Sequence, residues 1–181
     1  MRLFVGIPLP LYVRDRLAML ASGLPGARWV RPESLHVTLR FIGEVDEGQA
    51  EDIDAALAAI RAPAFALTVA GVGCFDRGRQ VHAVWAGIEA GPAIGHLHEK
   101  VESAVVRCGL APERRNFKPH VTLARLRNTP VRRVGEYMQT RQGTFGGPFT
   151  ADRFTLFRSH LGSEGALYEV LVDYPLELVE S

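Results

Sequence analysis

Two histidines, His36 and His120, each open the same string, His-Val-Thr-Leu, at 36–39 and again at 120–123. Side chains alternate along a β-strand, so residues i and i+2 share a face. On a strand, His36 and Thr38 point one way while Val37 and Leu39 point the other. The same holds for His120 and Thr122 over Val121 and Leu123. Each string therefore offers an imidazole beside a hydroxyl, with two apolar anchors behind them. An unperturbed imidazole titrates at a pH of about 6.5, so of two facing each other one can be neutral while the other is protonated. That is the equipment of a general acid–base pair, and a threonine hydroxyl beside each can hydrogen-bond a phosphoryl oxygen. Two full matches in 181 residues lie far beyond chance under independent composition and point to duplication or shared function. Ser34 precedes His36 on the entering strand, but no carboxylate stands by to complete a nucleophilic triad.

The elements that must position these residues are legible along the chain. Residues 3–7 form a short apolar run closed by Pro8 and Pro10, the pattern of a strand. Helical spacing follows at 11–21, stopped by Gly23 and Pro25. Residues 29–32 connect to a strand at 35–42, ended by Gly43. Residues 46–60 begin acidic, which suits a helix N-terminus, and carry Ile53, Leu57 and Ile60 at helical spacing. Strands are expected at 65–72 and 81–88, joined by the polar DRGRQ loop, and a long amphipathic helix at 92–108. The second half repeats the theme. It has a strand at 120–126, a helix from about Pro130 to 141, and strands at 145–151, 154–159 and 166–174. No linker rich in Gly, Pro or Ser separates the halves. Helices alternating with sequence-adjacent strands predict an α+β fold with antiparallel pairing. Residues 1–181 are expected to form one bilobal domain with an internal duplication.

Composition narrows the partners. With 47% hydrophobic and 23% charged residues, the chain has an ordinary globular balance. A formal net charge of +1 does not fit a protein that holds long nucleic acid by charge alone, yet it permits a local basic cluster around a phosphate. No Gly-rich phosphate loop follows any strand. Cys74 and Cys108 are expected to be free thiols. The N-terminus lacks the long apolar stretch and cleavage site of a signal peptide, and no apolar run approaches membrane-spanning length. A cytoplasmic protein without a membrane partner is expected.

Paired H-x-T-hydrophobic motifs on strands mark the 2H phosphoesterase superfamily, and this sequence resembles it. The flanks RWVRPESLHVTLRFIGEV and RRNFKPHVTLARLR are similar to its RNA 2′,3′-cyclic phosphodiesterase branch, also called the 2′-5′ RNA ligase or LigT-like family. FVGIPLP, VWAGI and FTLFRSHLGSEGALYEVLVDYPL extend the resemblance over nearly the whole chain. It implies two pseudo-symmetric α+β lobes with antiparallel sheets flanking a central cleft. It also implies metal-independent, cofactor-free opening of a 2′,3′-cyclic phosphate to a 2′-phosphate, on an RNA end or a small cyclic nucleotide, by a monomer. His36 would protonate the departing ribose oxygen and His120 would activate water, with Thr38 and Thr122 on the non-bridging oxygens. Two other readings use the same residues: reversible 2′-5′ ligation of tRNA halves, and a nucleotide- or RNA-binding module without turnover.

Arg125 matches the family's arginine five residues after the second histidine, where a forked guanidinium can grip phosphate. Five is the wrong parity for the histidine face of a regular strand, so Arg125 must act from a strand end or a bulge. The equivalent position in the first copy is Phe41, which either stacks on a base or packs into the core. Tyr168 stands where the family often has tyrosine, to hydrogen-bond substrate or to serve structure. One departure is visible: before VWAGI the family often carries arginine, and here stand Val81 and His82. His96 and His98 in HLHEK diverge on a helix and suggest no metal site. His160 is expected at the surface, and Trp29 and Trp85 in packing.

Overall fold

The computed structural model describes residues 1–180. They form β1 (Arg2–Pro8), α1 (Leu11–Ala18), β2 (Ala27–Trp29), a 3-10 turn (Pro32–Ser34), β3 (His36–Glu44), α2 (Glu47–Ala58), β4 (Phe65–Arg77), β5 (Gln80–Ala90), α3 (Ala93–Arg107), β6 (His120–Leu126), α4 (Val131–Thr140), β7 (Thr144–Ala151), β8 (Arg153–Gly162) and β9 (Gly165–Pro175). The strands pair antiparallel in the order β7-β4-β5-β6-β3-β1-β8-β9, with β2 on β6. The α+β expectation and the two lobes hold. The order runs symmetrically outward from the two HVTL strands: β3, β1, β8, β9 on one side and β6, β5, β4, β7 on the other. The lobes are not separate sheets. β3 and β6 meet at one pair, Val37↔Val121, and splay apart on either side of it, which opens the cleft.

Helices cover the back of the sheet, and the first helix of each half crosses over. α1 leaves β1 yet packs on β7 of the other lobe; α3 leaves β5 yet packs on β3. α2 lies against α3 and β9, and α4 against β4 and β5. Each helix follows its sequence. The Asp46 carboxylate accepts from the Gln49 amide at 2.8 Å and caps α2, whose Ile53 and Leu57 are buried. Ile94, Leu97, Val101, Ala104 and Val105 form the buried stripe of α3. Val37, Leu39, Val121 and Leu123 face this core, as the alternation requires.

Boundaries differ from the sequence expectation at three places. The DRGRQ loop shrinks to a tight turn at Gly78-Arg79, because β4 and β5 pair as far as Arg77↔Gln80. Trp29, expected to open the connector at 29–32, instead ends the short strand β2, which pairs with Leu126, Arg125 and Ala124 of β6. Ser34 sits in the 3-10 turn rather than on the strand. Among the described residues no helix is long and apolar enough to cross a membrane, and Cys74 and Cys108 are unpaired.

Candidate active site

The pair Val37↔Val121 organises the site. Counting one residue outward in antiparallel register sets His36 opposite Thr122 and Thr38 opposite His120. All four side chains lie on the face away from the core, half-buried in the cleft between the lobes.

Both imidazoles are fixed through Nδ1 by a backbone carbonyl two residues upstream. His36 Nδ1 lies 2.7 Å from the Ser34 oxygen and His120 Nδ1 lies 2.6 Å from the Lys118 oxygen. A carbonyl only accepts, so Nδ1 carries the hydrogen in each, and Nε2 is the free base of the neutral ring. His36 Nε2 meets Thr38 Oγ1 at 2.8 Å, so the threonine hydroxyl donates to the neutral ring. His120 Nε2 has no such partner among the described residues.

The surroundings of the two rings differ. Phe4, Phe157 and Tyr168 enclose His36, with ring centroids at 4.8, 5.7 and 5.3 Å. Phe75 and Trp85 flank His120 at 4.9 and 6.0 Å. The Lys118 ammonium lies 4.6 Å from the Trp85 ring centroid and 5.9 Å from that of Phe75. Burial pushes the His36 pKa down to about 4, with the charge of His120 lowering it further against the Ser34 hydrogen bond. Burial also lowers that of His120; its bond to the Lys118 carbonyl opposes this, while the Lys118 and Arg125 charges add to it.

The parity puzzle of Arg125 resolves in a bulge. β6 pairs Thr122 with Trp85 and Ala124 with Val84, leaving Leu123 as an extra residue. Arg125 thereby returns to the histidine face and is exposed there. β3 carries the same device: Thr38 pairs with Gly6 and Arg40 with Val5, leaving Leu39 over. Phe41 thus stands in the first lobe where Arg125 stands in the second. It is 54% exposed, 5.9 Å from Phe4 by ring centroids, which excludes the core-packing alternative. Tyr168 packs edge-on against both Phe4 and His36.

Several neighbours of the site carried no sequence signal of their own. Lys118 and Phe75 belong to this group. Trp85, expected in packing, lies beside His120 above Gly73, where a Cβ would overlap the indole. His82 faces Phe75 at 6.3 Å, with Nδ1 buried and unpartnered among the described residues. The remaining histidines lie elsewhere. His98 stacks on Phe117 at 4.0 Å, His96 lines a groove between α2 and α3, and His160 pairs with Glu169 at the surface at 2.7 Å.

Gly6 supports the His36 side. A Cβ there would stand 2.9 Å from the Val37 carbonyl and 3.1 Å from His36 Cδ2. Gly6→Ala is therefore expected to displace the imidazole and to strain the pairing of β1 with β3. Small misplacements of reacting groups cost up to about 10²-fold. A kcat reduced by that order, with a lowered Tm, is the expected measurement; an unchanged kcat would show that the close approach does not hold the ring.

The family model of the 2′-5′ RNA ligase superfamily matches residues 15–163. The chain is 33% identical over 165 residues to the RNA 2′,3′-cyclic phosphodiesterase of Aeropyrum pernix, covering 89% of this chain and 91% of the relative. It is 30% identical over 185 residues to the protein of that name from Thermotoga maritima, covering 98% and 96%. Among solved structures, a protein of Thermus thermophilus, TT0787, matches with a TM-score of 0.81 at 28% identity, over 99% of this chain and all of that one. E. coli LigT complexed with 3′-AMP matches with a TM-score of 0.79 at 28% identity, over 97% of each chain. With the paired histidines on adjacent antiparallel strands and a family match that spans both, the chain belongs to the 2′-5′ RNA ligase superfamily.

Proposed function

We propose that this protein is an RNA 2′,3′-cyclic phosphodiesterase that opens the cyclic phosphate to a 2′-phosphate by two-histidine acid–base catalysis, without metal. The observation that carries the reading is the cross-strand quartet of His36, Thr38, His120 and Thr122 around Val37↔Val121. The phosphate lies between the two Nε2 atoms. His120 Nε2 takes a proton from water as the oxygen attacks phosphorus, and His36 delivers a proton to the ribose 3′ oxygen as its bond to phosphorus breaks. This division of roles follows the family resemblance. Thr122 faces the non-bridging oxygens on one side, and Arg125 stands beyond it on the same face. Thr38 answers to the state of His36. When Nε2 is neutral the hydroxyl donates to it; when Nε2 is protonated that donation ends, leaving the Nε2 hydrogen for the 3′ oxygen and the hydroxyl proton for a phosphoryl oxygen. The names of the relatives and the nucleotide complex of a structural neighbour support an RNA or nucleotide substrate. The mirrored strand order supports an internal duplication within one domain.

Charge sets the pH dependence. The catalytic form holds one proton between the two rings. Below the pKa of His36, about 4, both rings are protonated and no base remains. Above that of His120, which lies below 6.5, both are neutral and no acid remains. kcat/KM reports the free protein, so a bell with its alkaline limb below pH 6.5 is expected. A bound phosphodiester anion favours the protonated rings, so the alkaline limb of kcat lies at higher pH than that of kcat/KM. Initial rates on a cyclic-phosphate oligonucleotide across the acid and neutral range test this. A kcat/KM that stays flat or rises through neutrality would contradict it.

A further inference from the structure

Arg28 pairs with Arg125 across β2 and β6, and cross-strand partners share a face. Trp29, the next residue, turns behind the sheet against Tyr137, at 5.9 Å between centroids. Arg28 therefore projects with Arg125 on the histidine face, and both are exposed. Two like charges directly opposite each other are destabilising unless an anion lies between them. Among the described residues neither guanidinium lies within ion-pair distance of a carboxylate. The nearest arginine in sequence does otherwise: Arg31 takes Glu164 at 3.1 Å. On its other side Arg125 faces Ala83, a small buried side chain that offers it no charge. Gly165, the first residue of β9, adds no side chain there; Arg28 Cδ lies 4.0 Å from where its Cβ would be.

The position sets which anion fits. Arg125 is three residues beyond Thr122, on the order of 10 Å by strand rise less the bulge. Arg28 stands directly opposite Arg125, on the edge of β6 that β3 also meets. That spacing suits a nucleotide that carries a second phosphate, one group between the histidines beside Thr122 and the other at Arg28. In a chain ending in a 2′,3′-cyclic phosphate, that second group is the 5′-phosphate of the terminal nucleotide. We propose that Arg28, with Arg125, forms a subsite for this 5′-phosphate, so that the protein selects the 3′ ends of RNA chains over free nucleoside 2′,3′-cyclic phosphates. The inference rests on the function proposed above. Forked guanidinium–phosphate contacts supply the recognition and no base is read, so the preference is for a chain end rather than a sequence.

Binding without turnover separates the subsite from the chemistry. Affinities of a nucleoside 2′-phosphate and the corresponding nucleoside 2′,5′-bisphosphate are compared by calorimetry at fixed salt. The variants are Arg28→Gln and Arg28→Lys. The added 5′-phosphate is expected to tighten binding to the unaltered protein by about tenfold. Arg28→Gln removes that gain and Arg28→Lys keeps part of it, with the salt dependence of bisphosphate binding shallower in Arg28→Gln. A bisphosphate that binds no tighter than the monophosphate would overturn the proposal, as would a gain that survives Arg28→Gln. A protein that shows the Arg28-dependent gain but opens no cyclic phosphate would keep the subsite and lose the catalytic reading of the histidines.

Discussion

Replacing His120 or His36 with glutamine is expected to lower kcat for 2′,3′-cyclic phosphate opening by about 10²–10⁴-fold, the usual contribution of a positioned acid or base. Glutamine preserves polarity and most of the volume, so the Phe4, Phe157 and Tyr168 enclosure of His36 need not collapse. On the proposed mechanism both imidazoles serve one step, so the double variant is expected to be little worse than the worse single variant. The single variants should also differ in shape. Losing the donor removes the alkaline limb of the pH profile, and losing the acceptor removes the acid limb. With His36 as donor, His36→Gln keeps a rate that falls only toward acid. A loss of less than tenfold in either variant, with Tm unchanged, would remove that histidine from the chemistry.

The largest stability effect is expected at Arg40. It is 7% exposed, on the core side of the β3 bulge, where Ala124 stands in the other lobe. Its guanidinium bonds the Glu102 carboxylate on α3, the Phe41 carbonyl and the Ala111 carbonyl. The other Glu102 oxygen accepts from the Glu113 amide at 2.8 Å. Arg40 thus ties the first HVTL strand to α3 and to the irregular segment that leads into His120. Arg40→Met leaves the Glu102 carboxylate facing a partner it no longer has, and breaking a buried pair costs about 3–5 kcal/mol. For a chain of this size that lowers Tm by roughly 10 °C. Arg40→Met with Glu102→Leu is expected to recover most of the loss, because the double change leaves no buried charge. Burial raises the Glu102 pKa, but the Glu113 amide and Arg40 outweigh it and hold the carboxyl below its usual value. A carboxylate with a depressed folded pKa stabilises above its unfolded pKa of 4.5, and that contribution is lost as pH falls through the folded value. The unaltered protein should therefore lose more stability on acidification than the double variant. Thermal melts of the three proteins at neutral and acid pH check both statements.

The face on which His36, Thr38, His120 and Thr122 lie was legible, because strand alternation is local and the letters repeat. β6 begins and ends where its letters say, at His120 and Leu126. The resemblance to 2H phosphoesterases was equally legible, since it is carried by contiguous strings that form the site. Three features were not. The bulges that turn Phe41 and Arg125 onto the histidine face are set by the register of β1 and β5, which a strand's own sequence does not state. The crossing of α1 and α3 to the opposite lobes depends on which sheet half offers an apolar surface. Lys118, Phe75 and Trp85 converge on His120 from three segments, and each letter alone reads as surface or core. Arg28 was hidden for the same reason: only the pairing of β2 with β6 sets it beside Arg125.

The most direct test of the account follows phosphorus itself. An oligonucleotide ending in a 2′,3′-cyclic phosphate is incubated with the protein in excess chelator, and the products are read by phosphorus NMR. The account predicts full conversion to the 2′-phosphate by the unaltered protein and none above background by the variant carrying both His36→Gln and His120→Gln. Failure of the unaltered protein to open the ring in chelator, or ring opening that persists in the double variant, would contradict it.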